Sequence, residues 1–167
     1  MATETKYPGA AVNLLEAPYD DNNWEYPDYL FSDDGQYDKV TAPTFDLNDY
    51  SYIEKSSQYG FAIPTGSTIN GIYLEVERYN DVGKTVKDAL VQLMKAGVAA
   101  GDNKAAAGNW ETTPTIKTYG SSTDLWGTTW TVADINDANF GLRFAAQATA
   151  NNADCYVDFV RITVYYT

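Results

Sequence analysis

Residues 68–79, TINGIYLEVERY, decide the fold, because apolar and polar side chains alternate along this stretch. Successive side chains of a strand point to opposite faces, so the alternation predicts a long strand with one buried and one solvated face. The buried face would carry Ile72, Leu74 and Val76, and the solvated face would carry Tyr73, Glu75 and Glu77. Such a strand needs a second apolar layer to cover it, which favours a sandwich of sheets.

Alternation of the same kind recurs from residue 59 to the last residues of the chain, and Gly, Asn, Asp and Ser separate the alternating segments. It predicts further strands at 59–63, 86–95, 115–119, 128–131, 140–147 and 154–166. The core-facing residues predicted within 86–95 are Ala89, Val91 and Leu93. A loose capping box at Thr131 and Asp134 predicts one helical turn over 132–138. This pattern predicts an all-β chain, a two-sheet antiparallel β-sandwich of jelly-roll type.

Residues 1–57 differ from the rest, because they hold four of the six prolines. Proline removes a backbone donor and restricts the residue before it, so long strands are not expected in this segment. Several aromatic residues nevertheless make it too apolar for a solvated tail: Trp24, Tyr26, Tyr29, Phe31 and Tyr37. We predict an extended N-terminal arm over 1–57, with short strands near 28–31, 37–41 and 50–55, and a sandwich domain over 58–167. The aromatic residues of the arm are predicted contact residues, toward the sandwich or a neighbouring subunit.

Composition excludes several classes of function. The chain has 11 basic and 23 acidic residues, a net charge of −12, which argues against binding to nucleic acid. It has no histidine, and therefore lacks the commonest general base and metal ligand. The single cysteine, Cys155, cannot form a disulfide within the chain and is predicted to be a small buried residue. No apolar run is long enough for a spanning helix, so no membrane association is expected.

The candidate chemical groups each have a simpler structural interpretation. Glu75 and Glu77 share one strand face, whereas a glycosidase needs carboxylates on opposite sides of the bond it cleaves. Surface charge is the better interpretation, and we predict no catalytic residues and no enzyme activity. Oxygen-rich turns at Asp20–Asn23, Asp46–Asp49 and Asp134–Asp137 could hold calcium, but Asp and Asn also populate turns for backbone reasons. No metal ligands and no cofactor are therefore assigned.

Two tryptophans, Trp126 and Trp130, leave two interpretations open. With Tyr119 they could form a stacking platform for a sugar, because aromatic rings offer large apolar faces. Core or subunit-interface packing is the more frequent role of such residues. We predict interface roles for both, alongside the aromatic residues of the arm.

The region from Tyr59 to Thr167 resembles a recurrent β-sandwich domain of tailed-bacteriophage virion proteins. The segments that carry the resemblance are YGFAIPTGSTINGIYLEVER (59–78), VQLMKAG (91–97), GDNKA (101–105), the loop around Trp110, YGSSTDLWGTTWTVADINDANFGLRF (119–144) and VDFVRITVYYT (157–167). More loosely, NNWEYPDYLFSDDGQYDKV (22–40) resembles the opening segment of that family.

The resemblance implies a structural role in the virion, as a capsid (head) decoration, head fibre or tail component. The implied partners are other capsid or tail proteins and copies of the chain itself in a homo-oligomer. The family has no catalytic residues, so none is transferred. The alternative is a carbohydrate-binding adhesion module on the virion surface, for which a glycan is the partner.

Overall fold

The computed structural model describes all 167 residues of the chain. It contains ten strands, one short α-helix and one 3-10 helix, which runs over Pro27–Phe31. The strands and the α-helix are, in chain order, β1 (Ala2–Lys6), β2 (Ala10–Leu14), β3 (Asp38–Val40), β4 (Ile53–Ser57), β5 (Ile69–Asn80), β6 (Val86–Lys95), β7 (Val98–Ala100), β8 (Thr115–Gly120), α1 (Val132–Asn136), β9 (Gly141–Ala148) and β10 (Cys155–Tyr166).

The strands form two antiparallel sheets of five strands each. Sheet A has the order β1-β10-β5-β8, with β3 also paired to β10, and sheet B has the order β2-β4-β9-β6-β7. The long strands alternate between the sheets as the chain proceeds, from β4 in sheet B to β5 in sheet A and back to β6 in sheet B. The predicted fold class, an all-β sandwich of two antiparallel sheets, is confirmed.

Strands with strong alternation lie where the sequence predicts them. The predicted strand 86–95 coincides with β6, while 68–79 and 154–166 match β5 and β10 to within one residue at either end. Helix α1 is capped as predicted, because the Thr131 hydroxyl accepts the Asp134 N–H and the Asp134 carboxylate accepts the Thr131 N–H. Neither helix, each of five residues, could span a bilayer.

Three predicted strands are wrong. Residues 28–31 belong to the 3-10 helix, because Pro27 at its first turn has a backbone angle that suits a helix start. Residues 59–63 and 128–131 are extended or turn segments that pair with no strand. Their large apolar side chains are nevertheless buried. The alternation therefore predicts the burial of these side chains, although the backbone of both segments forms no strand.

The segment 1–57 is an integral part of the sandwich, which differs from the predicted division into an arm and a domain. Strand β1 pairs with β10 along its whole length, and β4 is an internal strand between β2 and β9. A segment without alternation therefore becomes a set of strands because long partner strands elsewhere in the chain offer it hydrogen bonds.

One β-bulge decides which side chains of β6 face the core. The register shifts between Asp88 and Leu90, so Asp88 and Val91 both face inward, while Leu90 faces the outer side of sheet B. Val91 and Leu93 are buried in the core as predicted, but Ala89 lies in the bulge and packs on a small outer cluster. Cys155 is buried, and burial raises the pKa of its thiol well above the ordinary value.

Candidate functional site

The three tryptophans predicted as contact residues lie in the core. Trp24, Trp126 and Trp130 are buried, and each indole N–H donates to a backbone carbonyl oxygen 2.9–3.0 Å away. Their interface role is corrected to core packing, and the sugar platform considered for Trp126, Trp130 and the equally buried Tyr119 does not exist. The other predicted contact residues, which keep part of their surface exposed, are Tyr26, Tyr29, Phe31 and Tyr37.

Trp24 fixes the start of the exposed aromatic segment. Its backbone N–H donates to Asn13 Oδ1 at 3.0 Å, and Asn13 Nδ2 donates back to its carbonyl oxygen at 2.8 Å. These bonds tie the segment to β2, the edge strand of sheet B. With the indole buried behind it, the chain turns outward at Glu25 and enters the 3-10 helix two residues later. The residues that follow Trp24 are therefore held close to the edge of β2.

Tyr26 and Tyr29 form a stacked aromatic pair at the surface. Their ring centroids lie 5.1 Å apart with an interplanar angle of 21°, and the Tyr29 N–H donates to the Tyr26 carbonyl oxygen at 2.9 Å. The Tyr26 side chain is 43% exposed. The Lys39 ammonium lies 5.8 Å from the Tyr26 ring centroid and 3.6 Å from Glu25, so it covers one flank of the pair. The pair presents a rigid aromatic surface to solvent.

An open groove of about 450 Å³ runs between this pair and strand β2. One wall is the segment Ala11–Asn13, and the other is the segment Glu25–Tyr29. Asp28 lies on the second wall and makes no ion pair within the chain, whereas Glu25 is bonded to Thr41 and Lys39. The groove thus combines apolar surface with carboxylate acceptors, a composition typical of small-ligand sites. We call it the tyrosine groove.

Two buried carboxyl groups lie behind the tyrosine groove, one from each sheet. Asp38 of β3 is 0% exposed and Glu54 of β4 is 1% exposed, and the two carboxyl groups are within hydrogen-bonding reach of each other. Asp38 Oδ1 accepts the N–H groups of Tyr26 and Lys39, both at 2.7 Å. Asp38 Oδ2 and both oxygens of Glu54 have no donor in the chain.

This pair must hold a proton, because two unscreened carboxylates in contact repel each other strongly. Burial, followed by the charge of Asp38, raises the pKa of Glu54 well above its ordinary value. Burial raises the pKa of Asp38 as well, but hydrogen bonds from Glu54 and from two backbone N–H groups favour its ionised form, so the shared proton resides on Glu54. Through the Tyr26 N–H, the pair fixes one wall of the tyrosine groove.

A second aromatic cluster covers the outer face of sheet A. The Tyr79 and Tyr156 rings stack at 4.6 Å, and Tyr37 packs edge-on against both. Tyr37 donates its O–H to Glu77 Oε1 at 3.3 Å, and burial, followed by the Glu77 charge, raises the pKa of Tyr37 to about 12. Because these rings pack mostly on one another, they form no concave site.

Carboxylates of Asp33, Glu77 and Asp158 meet beside this cluster, with oxygen atoms within 4.8 Å of one another. Asp158 is buried, and its Oδ2 accepts the Gly35 N–H at 3.1 Å. Burial raises the pKa of both Asp158 and Glu77. No sequence pattern indicates this group, because the three residues come from a loop and two different strands.

The oxygen-rich turns considered as calcium sites use their side chains to hold the backbone. Asp21 accepts the Tyr50 N–H at 2.8 Å and Asp49 accepts the Asp46 N–H at 2.9 Å. Asn136 both accepts from and donates to the backbone of Ile63, at 2.9 Å in each case. The turn interpretation therefore accounts for these residues.

Glu75 and Glu77 lie on the outer face of β5 as predicted, and they have different partners. Glu75 forms a bidentate pair with Arg161, both N···O distances being 2.9 Å, and this bonding raises the pKa of Arg161. Glu77 faces the tyrosine cluster instead. The two carboxylates therefore do not flank a common space in which a glycosidic bond could lie.

No family model and no curated protein matches the chain. Two solved structures match most of the chain, both with low TM-scores. One is a family 29 carbohydrate-binding module from Piromyces equi, 15% identical, which covers 97% of this chain and 89% of its own with a TM-score of 0.37. The other is a carbohydrate-binding module of Cellvibrio mixtus lichenase 5A in complex with cellotriose, 16% identical, covering 95% of both chains with a TM-score of 0.35. TM-scores below 0.5 are too low to transfer a function.

Proposed function

We propose that the protein is a non-catalytic carbohydrate-binding module whose ligand lies in the tyrosine groove. The observation that carries this proposal is the stacked, partly exposed pair Tyr26–Tyr29 beside an open groove with the unpaired carboxylate of Asp28. A sugar ring has an apolar face of C–H groups and a rim of hydroxyls. The tyrosine rings would take the apolar face, and the carboxylates would accept hydrogen bonds from the hydroxyls.

Charge narrows the class of glycan that this groove suits. The carboxylates of Glu25 and Asp28 line it, and no basic residue does. An acidic polysaccharide would be repelled, whereas a neutral one pays no such cost. The groove is also open along the edge of β2, so a chain of several sugars can pass through it without a closed end. We expect a neutral oligosaccharide or polysaccharide.

The Tyr26→Ala variant tests the site. Removing half of the aromatic platform is expected to weaken binding to a neutral glycan by roughly fivefold or more, since truncated aromatic anchors cost more than about 1 kcal/mol. The measurement is a glycan array with wild-type protein, followed by titration calorimetry with the best neutral ligand for wild type and variant.

Tyr165→Ala is the matched control, because Tyr165 is a partly exposed tyrosine on β10 in the other sheet. It should leave affinity unchanged. Equal affinity in wild type and Tyr26→Ala would place the ligand elsewhere, and a wild-type protein that binds no glycan would overturn the proposal itself.

A structural role in a virion is the second candidate, and exposed aliphatic residues favour it. Val12 on the edge strand β2 is 55% exposed, and Leu15 just beyond the strand is 62% exposed. Aliphatic side chains on an unpaired edge suit contact with another subunit, either another virion protein or a copy of the chain. Mass spectrometry of purified phage particles tests this role, which requires the protein to be present in the particle at a fixed copy number.

A further inference from the structure

A second groove, of about 490 Å³, lies at the opposite edge of the sandwich, between β8 and the loop 106–111. Strand β8 is the edge strand of sheet A. In the antiparallel register Thr115 lies opposite Arg78 and Lys117 lies opposite Val76, a core residue. Side chains of paired residues share a face, so Arg78, Thr115 and Lys117 all point to the inner side of sheet A, at its open end. We call this the arginine groove.

Arg78 is held rigidly at the base of the arginine groove. It is only 5% exposed, and its Nη2 lies 3.3 Å from Asp88 Oδ1. Its Nε donates to the Tyr119 hydroxyl at 3.3 Å, and the guanidinium carbon lies 4.6 Å from the ring centroid of Trp110. The fork of donors is therefore oriented before any ligand arrives, which reduces the entropy lost on binding.

One nitrogen of this guanidinium is left for a ligand. Nη1 of Arg78 has no acceptor within the chain, and this atom is accessible to solvent. Arg78 lines the groove, so Nη1 is the guanidinium nitrogen left available to a ligand there. A buried, charged donor whose last nitrogen faces an open groove is a ready contact for an oxygen of a ligand.

Lys117 adds a second cation to the same wall. Most cationic side chains of this acidic protein are paired with a carboxylate, but Lys117 makes no ion pair. Asn109 lies across the groove, where its Oδ1 accepts from Thr149 and its amide nitrogen has no acceptor. The groove thus offers three donors, from Arg78, Lys117 and Asn109, against one carboxylate, that of Glu111.

We propose that the arginine groove binds a ligand carboxylate, with Arg78 Nη1 and Lys117 Nζ as its donors. A single negative charge fits this arrangement better than a phosphate dianion, because Asp88 already neutralises Arg78 and Glu111 faces the site. The carboxylate can belong to an acidic sugar or to the C-terminus of a peptide. The attraction of these nearby cations outweighs the repulsion of the ligand by the net charge of −12, since charges farther than about 8 Å are largely screened at physiological salt.

The test is an amide-shift titration of the whole protein with three small ligands: sodium glucuronate, N-acetylalanine and glucose. We expect saturable shifts of residues 115–118 with at least one of the two carboxylates and none there with glucose. Affinity should fall as the salt rises from about 20 mM to about 200 mM, because screening weakens the ion pair. The carboxylate that binds more tightly identifies the source, sugar acid or peptide terminus.

Two variants separate binding from folding. Lys117→Gln changes an exposed side chain and should weaken the carboxylate by about two- to fivefold, the value of an exposed ion pair. Arg78→Lys keeps the charge but loses the fork and should weaken it by roughly tenfold or more, with a thermal melt to verify the fold. Lys55→Gln, an unpaired lysine of β4, is the control and should change nothing. No saturable shift with either carboxylate, an equal response to glucose, or unchanged affinity in Lys117→Gln would each overturn the proposal.

Discussion

The Glu54→Gln variant is expected to unfold at higher denaturant concentration than the wild type at neutral pH. Glu54 is buried against Asp38, and no donor from the rest of the chain reaches either of its oxygens, so the pair depends on a proton held by Glu54. A glutamine of the same shape carries no charge and brings an N–H that can donate to Asp38. The gain in the free energy of unfolding should be about 1–3 kcal/mol at neutral pH, because the folded wild type must keep a proton on Glu54 that the unfolded chain releases.

The sign of the pH dependence follows from the raised pKa of Glu54. The folded chain holds the proton more tightly than the unfolded chain, so the stability from Glu54 is greatest below its ordinary pKa of 4.5. That stability is lost as the pH rises from 4.5 toward the higher pKa of the folded state. The advantage of Glu54→Gln should therefore grow between about pH 5 and about pH 8.

Urea denaturation across this pH range measures the effect, with Glu111→Gln as the control. Glu111 is exposed, so its variant should stay within about 0.5 kcal/mol of the wild type at every pH. A Glu54→Gln protein that is less stable than the wild type at about pH 8 would show that the ionised pair is needed, and the shared-proton description would be abandoned.

The Asp88→Asn variant is expected to lose about 3–5 kcal/mol of stability, since it leaves the buried charge of Arg78 without its partner. The carboxylate of Asp88 accepts from the Trp110 indole N–H and the Tyr119 hydroxyl, both at 2.7 Å, and from the Ala106 N–H at 2.9 Å. Burial, followed by the Asp88 charge, raises the pKa of Tyr119, which keeps that hydroxyl a donor. An amide in place of the carboxylate must turn a donor toward some of these donors.

Urea denaturation at neutral pH measures this loss, and Lys6→Ala gives the scale for an exposed ion pair. Lys6 and Glu4 lie 3.2 Å apart at the surface, so removing Lys6 should cost less than about 1 kcal/mol. A loss in Asp88→Asn no larger than that in Lys6→Ala would show that the network around Arg78 relaxes or admits water. The rigid placement of Arg78 in the arginine groove would then be contradicted as well.

The strands that could be predicted from the sequence are those whose side chains alternate. Strand β5 alternates between buried and partly exposed residues from Ile72 to Asn80, and β10, which pairs with it, has the same period of two in its residue types. Strand β1, ATETK, has no apolar face, and it is a strand only because it pairs with β10. Tertiary hydrogen bonding of this kind leaves no local pattern, which is why residues 1–57 were predicted as an arm.

The candidate sites were predictable only in part, for two physical reasons. Tyr26 and Tyr29 stand out as aromatic residues on a proline-interrupted segment, but so does Trp24, which is buried. Residue type alone does not separate an exposed ring from a core ring. Asp88 faces inward through a β-bulge, and a bulge shifts the register without a reliable signal in the residues.

The most direct test of the tyrosine groove is an amide-shift map of the whole protein with a neutral oligosaccharide that binds it. We expect the largest shifts at residues 11–13 and 25–29, the two walls of the groove. These are distinct from residues 115–118 of the arginine groove, so the two proposals can fail separately. Largest shifts outside the two walls, or no neutral glycan that shifts any residue, would contradict the central claim that this sandwich binds carbohydrate at Tyr26 and Tyr29.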